Sequence, residues 1–194
     1  MTEWKVRDNE RLDDLVRDGM KLIQRPDQFC FSVDSVLLAH YVTPKAKDKI
    51  ADLGTGTGVI SLLVSALGGK DITAFEVNPV MADLARRNVA GNQKDDVIHV
   101  VEGDYRKVNT LFPSGSFSLV LANPPYREMG TGKMSAQEGV ASASYEVNAT
   151  LEEVFKTAQY LLKYGGRLAM VHRADRVADL IAVGRKYRME PKRM

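Results

Sequence analysis

Lys49-Ile50-Ala51-Asp52-Leu53-Gly54-Thr55-Gly56-Thr57-Gly58-Val59 decides how the chain folds. The first half is a short apolar run of the kind that forms a buried strand, and the second half places glycine at alternate positions before a helical pattern, Val59–Leu67. Glycine has no Cβ, so it serves where a chain must turn tightly from strand to helix and bring its backbone against a ligand. A dinucleotide-binding fingerprint would need Gly or Ala one position after Gly58, where Val59 stands, so the spacing favours another nucleotide-like ligand.

Working outward, further β-rich apolar runs occur at Asp71–Val77, Val97–Glu102, Phe117–Ala122 and Arg167–His172, and helical patterns separate most of them. That alternation predicts an α/β fold with a mostly parallel, doubly wound sheet covered on both faces. Asn78 is a candidate N-cap with Pro79 at the first helical position, and Gly91-Asn92 ends that helix. Thr150 and Glu153 form a capping-box pattern ahead of Val154, Phe155, Ala158, Leu161 and Leu162, and Lys163-Tyr164-Gly165-Gly166 then turns the chain into the fifth strand. Upstream, Leu12, Leu15, Val16, Leu22 and Ile23 suggest an apolar-faced lead-in, and Val33–Val42 reads as a helix begun near Ser32.

The expected organisation is one domain over residues 1–194, with a helical N-terminal extension at 1–45 and the ligand-binding catalytic core at 46–194. Arg127–Ala149 is polar, rich in Gly, Ser and Ala and without periodicity, which fits a lid or substrate-binding loop. After a helix at Asp175–Tyr187 only Met189–Met194 remain, so the chain reads as truncated and its sheet is expected to lack the final strand, leaving an unpaired edge that either dimerisation covers or that makes the chain fragile, with the oligomeric state left open.

With 27 basic against 25 acidic residues, a net charge of +2 neither demands nor excludes a nucleic-acid partner, so local charge has to decide. Basic residues do gather late in the chain, at Arg173, Arg176, Arg185, Lys186, Arg188, Lys192 and Arg193. The single cysteine, Cys30, excludes an internal disulfide framework and a clustered thiolate metal site, and fits a reducing cytoplasm. His40, His99 and His172 have no second His or Cys at metal-ligand spacing, so no metal is expected. No stretch approaches membrane-spanning length, and Met1–Arg11 is charged rather than leader-like.

Three features follow the strands in order. The glycine turn comes after the first strand, Glu76 ends the second, where a carboxylate can accept both hydroxyl protons of a ribose, and Gly103-Asp104 after the third offers an acceptor for an adenine amino group. A fourth, Asn123-Pro124-Pro125-Tyr126, stands at the expected end of the fourth strand. An amino group on an aromatic ring or an amide is a poor nucleophile because its lone pair is delocalised. The Asn123 side-chain oxygen and the Pro124 carbonyl can accept its two hydrogens, the prolines stiffen that geometry, and Tyr126 can stack on a planar substrate.

This order of motifs resembles the class I, Rossmann-like methyltransferases over roughly Lys49 to His172. The resemblance implies S-adenosyl-L-methionine as cofactor, with Asp52, Gly54, Thr55, Gly56 and Gly58 around its methionine part, Glu76 on the ribose, Asp104 on the adenine and Asn123 at the transferred methyl. It also implies catalytic roles for Asn123, Pro124 and Tyr126 in direct displacement at the methyl carbon. The stretch from Asp27 to Ala39, Asp-Gln-Phe-Cys-Phe-Ser-Val-Asp-Ser-Val-Leu-Leu-Ala, resembles the segment before the glycine motif in the bacterial tRNA(Val) adenine-N(6) methyltransferase family. That likeness implies transfer to the exocyclic amine of adenine in tRNA. The glutamine amide of release factors and a non-catalytic module that binds S-adenosylmethionine or RNA are the alternatives.

Overall fold

In the computed structural model, which describes residues 4–125 and 150–194, β3 (Lys49–Leu53) is the central strand of a five-stranded parallel sheet. The chain builds outward on one side through β4 (Asp71–Glu76) and β5 (Ile98–Glu102). It then crosses back to place β6 (Phe117–Ala122) and β7 (Leu162–Met170) on the other, giving the order β5-β4-β3-β6-β7. Because β3 and β6 are flanked on both sides, their residues are apolar almost throughout, and Ile50, Ala51, Leu119, Val120 and Leu121 are buried. The reversal of strand order between β3 and β6 opens a crevice at their carboxyl ends.

Helices cover both faces. The helices α1 (Val33–Tyr41), α2 (Val59–Ala66) and α3 (Pro79–Gly91) lie on one face, where Leu38, Leu62 and Val89 share a core with Ile50, Ile72 and Leu119. On the other face α4 (Leu151–Leu161) packs Val154, Ala158 and Leu161 on Ala51, Phe75 and Val120. Both predicted helix starts form. The Asn78 side chain accepts from the N–H groups of Val80 (2.9 Å) and Met81 (3.3 Å). Thr150 and Glu153 cap each other, Glu153 N–H to Thr150 Oγ1 at 3.2 Å and Thr150 N–H to Glu153 Oε2 at 2.8 Å. Such caps contribute about 1 kcal/mol each.

Two expectations are corrected. The segment Lys163-Tyr164-Gly165-Gly166, read as a turn, lies inside β7, which starts at Leu162. Gly165 adopts φ +74°, and the β6–β7 register shifts between Phe117 and Leu119, so these residues bulge within the strand rather than precede it. Residues 187–194 add no strand, and β7 is the edge strand on the β6 side of the sheet among the described residues.

The second correction concerns the N-terminal extension. In place of a helical lead-in, β1 (Arg11–Asp14) and β2 (Lys21–Gln24) form an antiparallel hairpin, and only α1 is helical. Leu12, Leu15 and Val16 happen to fall at helical spacing, but Val16, Asp18 and Gly19 all have φ between +51° and +70°, which a helix cannot hold. Strand β2 is buried on both faces: Leu22 joins the main core, while Ile23 packs on Met81 and Leu84 of α3.

Helix α3 holds this hairpin through a side-chain ladder. Asn88 Oδ1 accepts from Ile23 N–H (2.6 Å) and its Nδ2 donates to Ile23 C=O (3.0 Å); one turn later Asn92 repeats the pattern on Lys21, at 3.1 and 2.8 Å. The match is geometric: four residues of helix advance about 6 Å and two residues of strand about 6.7 Å. Asn88 also donates to the carbonyl of Thr57 in the glycine turn, at 2.9 Å. Nearby, Arg87 clamps Glu10 with bonds of 2.7 and 2.6 Å.

Asn88 is fully buried, so truncation would strand three backbone groups without partners. Asn88→Ala is therefore expected to lower the unfolding free energy by about 2–4 kcal/mol, against about 1 kcal/mol for the more exposed Asn92→Ala. Urea denaturation of the two variants checks the contrast; equal losses would refute the ladder's unequal loading.

Candidate functional site

The strand register builds the site. Leu53 pairs with Ala122 on one side and Phe75 on the other, so the next residues, Gly54, Asn123 and Glu76, leave three adjacent strands at one level. On β5 Glu102 pairs with Glu76, and Gly103 N–H donates to the Glu76 carbonyl (2.8 Å), bringing Asp104 to the same edge. Thus the predicted residues from the first three strand tips and Asn123-Pro124 of the fourth converge on one crevice. Tyr126 and the Arg127–Ala149 segment lie outside the described residues.

The glycine turn has the left-handed backbone its sequence suggested, with φ of +73°, +60° and +86° at Gly54, Gly56 and Gly58. Gly54 and Thr55 N–H both donate to the Phe75 carbonyl, which ties the turn to β4 at 3.0 and 2.9 Å. A Cβ built on Gly54 would meet nothing within 4 Å, so space lies open beside the turn.

Asp52 braces this turn from inside. It is fully buried, and its Oδ2 accepts from the hydroxyls of Thr55 (2.6 Å) and Ser61 (2.7 Å). Thr55 therefore directs its hydroxyl inward, while Asp52 Oδ1 is buried and finds no hydrogen-bond partner among the described residues. Burial pushes the Asp52 carboxyl above its ordinary value, and the Thr55 and Ser61 hydroxyls oppose that rise.

Glu76, only 8% exposed, spans the turn and the next helix: Oε2 accepts from Gly56 N–H at 2.8 Å and Oε1 from Asn78 N–H at 2.9 Å. Burial raises its pKa as well, against those backbone donors, and the Asp52 charge adds to the rise. A carboxylate has about four acceptor positions, so each Glu76 oxygen keeps one for a ligand. Asp104 caps the short 3₁₀ helix Tyr105–Thr110 through Arg106 N–H (2.9 Å) and pairs with the Arg106 guanidinium at 2.8 Å. Burial would raise the Asp104 carboxyl, but its bonds to Arg106 outweigh that and hold it low, so it is an anionic acceptor.

Asn123 is half-buried at the end of β6, and its Nδ2 donates to Ser35 Oγ of α1 at 3.2 Å. Val171 N–H bonds to the Ala122 carbonyl (3.3 Å), so His172 follows β7 beside Asn123-Pro124. Its Nδ1 accepts from Arg173 N–H at 3.0 Å, and burial lowers its pKa, which keeps the ring neutral near pH 7.

Sequence reasoning did not single out Ser35 or Asn88. Ser35 had a signal: it shares the inward face of α1 with Leu38 and Ala39, where a polar residue needs a partner. The basic residues late in the chain do not form a bare cationic face. Arg173 pairs with Asp175, Arg176 with Asp179, Arg185 with Glu190 and Lys186 with Glu152, while Arg193 lies 3.7 Å over the Tyr41 ring. Among the described residues no three His, Cys, Asp or Glu converge as a metal site, and no helix is long and apolar enough to cross a membrane.

A family model described as "Methyltransferase small domain" matches residues 20–181. The chain belongs to this family. The matched span takes in the ladder strand β2, the whole sheet and the Asn123 strand. Among curated proteins, the small-domain methyltransferase chain is 30% identical over 168 residues to the tRNA1(Val) (adenine(37)-N6)-methyltransferase of Porphyromonas gingivalis, covering 83% of this chain and 65% of that one. It is 34% identical over 114 residues to the protein of the same name from Shewanella amazonensis, covering 59% and 48%. The chain thus spans about half to two thirds of the length of these relatives.

Solved structures share the Rossmann-like class I methyltransferase fold. TYW2 of P. horikoshii, in complex with MeSAdo, superposes at TM-score 0.64 with 16% identity, covering 93% of this chain and 61% of that one. The precorrin-6y C5,15-methyltransferase of Geobacter metallireducens superposes at 0.56 with 17% identity, covering 79% and 68%.

The raised pKa values of Asp52 and Glu76 have a defined stability signature. A carboxyl whose folded value exceeds its unfolded value of about 4 contributes stability that is full below about pH 4 and lost as pH rises through the folded value. Asp52→Asn is expected to remove its share, so the variant should lose less stability than the wild type between about pH 4 and about pH 8. Urea melts at the two pH values test this; identical losses would mean that Asp52 does not titrate differently in the folded state.

Proposed function

We propose that this chain is an S-adenosylmethionine-dependent methyltransferase acting on the exocyclic amine of adenine in tRNA, in the cytoplasm. The observation that carries the proposal is the placement of Gly54, Glu76 and Asn123 at one level on three adjacent strands. That arrangement sets a diol acceptor and an amine acceptor on either side of an open glycine turn, in a chain of the methyltransferase small-domain family.

The residues fit the cofactor. Open space beside Gly54 admits a ligand against the backbone, Glu76 retains acceptor capacity for two ribose hydroxyls, and Asp104 is an anionic acceptor suited to an adenine amino group. When bound, S-adenosylmethionine supplies a methyl group activated by its sulfonium. The chain's own residues do the rest. Glycine φ values held by Asp52 and Asn88 keep the turn in shape, so its geometry is set before a ligand arrives. Asn123 Oδ1 and the Pro124 carbonyl accept the two hydrogens of the planar amine, localising its lone pair as the nitrogen becomes tetrahedral. These bonds are stronger in the transition state than in the ground state, which is the condition for raising rate rather than affinity.

Support for the tRNA adenine comes from the relatives, whose names specify it, and from the Asp27–Ala39 stretch, which supplies α1 and its Ser35 contact to Asn123. The ion pairing of the late basic residues places less weight on that surface as an RNA footprint.

Labelled-methyl transfer to total tRNA, DNA and release factor tests the reading. Wild-type protein is expected to label tRNA, and Asn123→Ala to lower kcat about 100-fold or more, comparable to loss of one transition-state hydrogen-bonding group. Glu76→Ala is expected to weaken S-adenosylmethionine binding by about tenfold or more in calorimetry, for the loss of about 1.4 kcal/mol or more. Labelling of release factor alone would overturn the substrate, and full transfer by Asn123→Ala the role of Asn123.

A further inference from the structure

We infer that Arg106 is a positioning residue that makes the cofactor site selective for a 6-amino purine, its clamp on Asp104 presenting acceptors and no donor to the base. The inference rests on the reading of Asp104 as the adenine acceptor. Adenine offers N–H hydrogens at its C6 position, whereas the matching 6-oxo base, hypoxanthine, offers an oxygen there. A carboxylate accepts from the first and repels the second, but a neutral carboxylic acid can accept from the one or donate to the other. Selectivity therefore requires that the carboxyl hold no proton.

Burial alone would push Asp104 the wrong way, since its side chain is only 15% exposed and desolvation favours the neutral acid. Arg106 reverses this with contacts whose direction is fixed by chemistry, because a guanidinium only donates and an ionised carboxylate only accepts. The main-chain N–H of Arg106 donates to Asp104 Oδ1 at 2.9 Å. Its Nε–H is shared between Oδ1 and Oδ2, at 2.9 Å each, and Nη2 lies 2.8 Å from Oδ2. One residue thus holds both oxygens, and a carboxylate with about four acceptor positions still has capacity for a base.

The guanidinium has a second anchor. Its Nη1 lies 3.5 Å from Glu153 Oε1, and Glu153 Oε2 accepts from the Thr150 N–H (2.8 Å) and hydroxyl (3.1 Å) in the cap that begins α4. Arg106 therefore stands between the carboxylate of the site and one fastened to a helix start. The other charges nearby do not take its place. Lys107 pulls Asp104 in the same direction, but less than Arg106 does. Tyr105, whose hydroxyl is pushed up by burial and stays neutral, lies within the fields of Glu153, Asp104 and Glu76, and Glu102 of β5 is paired with Arg86.

A 6-oxo base has to select the acid form of Asp104, so its affinity is reduced by the fraction of protein in that form. Above the Asp104 pKa that fraction falls about tenfold per pH unit, and it rises about tenfold for each unit by which the pKa is raised. Calorimetry therefore compares S-adenosylhomocysteine with its 6-oxo counterpart, S-inosylhomocysteine, at about pH 6 and about pH 8. Carboxyl NMR follows the titration of Asp104 in the free protein. Wild type is expected to prefer the amino ligand by about 100-fold or more, with the 6-oxo affinity alone falling as pH rises. Arg106→Ala and Arg106→Gln are expected to raise the Asp104 titration and cut the preference about tenfold or more, while Arg106→Lys, which keeps the charge, retains most of it. An unchanged preference in Arg106→Ala and Arg106→Gln, or a loss shared equally by both ligands, overturns the role of Arg106 while the cofactor reading stands. Wild-type protein that binds neither ligand overturns the cofactor reading, and this role with it.

Discussion

The register of Leu53 between Ala122 and Phe75 is the constraint on which the site depends. In a parallel sheet, hydrogen bonds fix neighbouring strands to within a residue, and a slip of one would turn every side chain to the opposite face. Here both faces of β3 are buried, so a slip on either side is penalised by the whole core. The reward for that rigidity is that Gly54, Glu76 and Asn123 emerge level with one another without any side-chain contact having to align them. In open α/β sheets a reversal of strand order such as the one between β3 and β6 is where ligands bind.

The N-terminal extension is held by other means than the sheet register, for its hairpin behaves as a strand paired to a helix. Asn88 and Asn92 mimic the donor and acceptor pattern of a neighbouring strand, so β2 satisfies backbone groups that an isolated two-stranded hairpin would leave to water. With β2 fixed, Gln24 accepts from Phe31 N–H just ahead of α1, whose Ser35 meets Asn123.

The sheet was legible because β3, β4 and β6 are runs of buried residues set off by turn or cap chemistry, and the first four strand bounds match to within a residue. Glycine spacing and the ends of β4, β5 and β6 placed Gly54, Glu76, Asp104 and Asn123 without the structure. The hairpin was not legible for a specific reason: Leu12, Leu15 and Val16 fall at helical intervals, and the partner that makes β2 a strand is a pair of asparagines more than sixty residues away. The bulge at Gly165 was missed on similar grounds, because a glycine pair before an apolar run marks a turn or a bulge equally well, and only the pairing to Phe117 and Leu119 distinguishes them.

Asp52 and Glu76 look alike in the sequence, each an acid at a strand end beside the same turn, yet their surroundings give them different work. Asp52 takes its hydrogen bonds from two hydroxyls of its own loop and helix, both side chains buried, so its carboxyl is closed off and its effect is on the shape of the turn. Glu76 takes its bonds from backbone N–H groups, those of Gly56 and Asn78, and a carboxylate held so retains acceptor capacity. Backbone donors are fixed by the fold and hold the carboxylate without blocking it, whereas hydroxyl donors can follow the carboxylate and enclose it. The distinction between a brace and a ligand therefore lies in the partners each acid finds, not in its place along the chain.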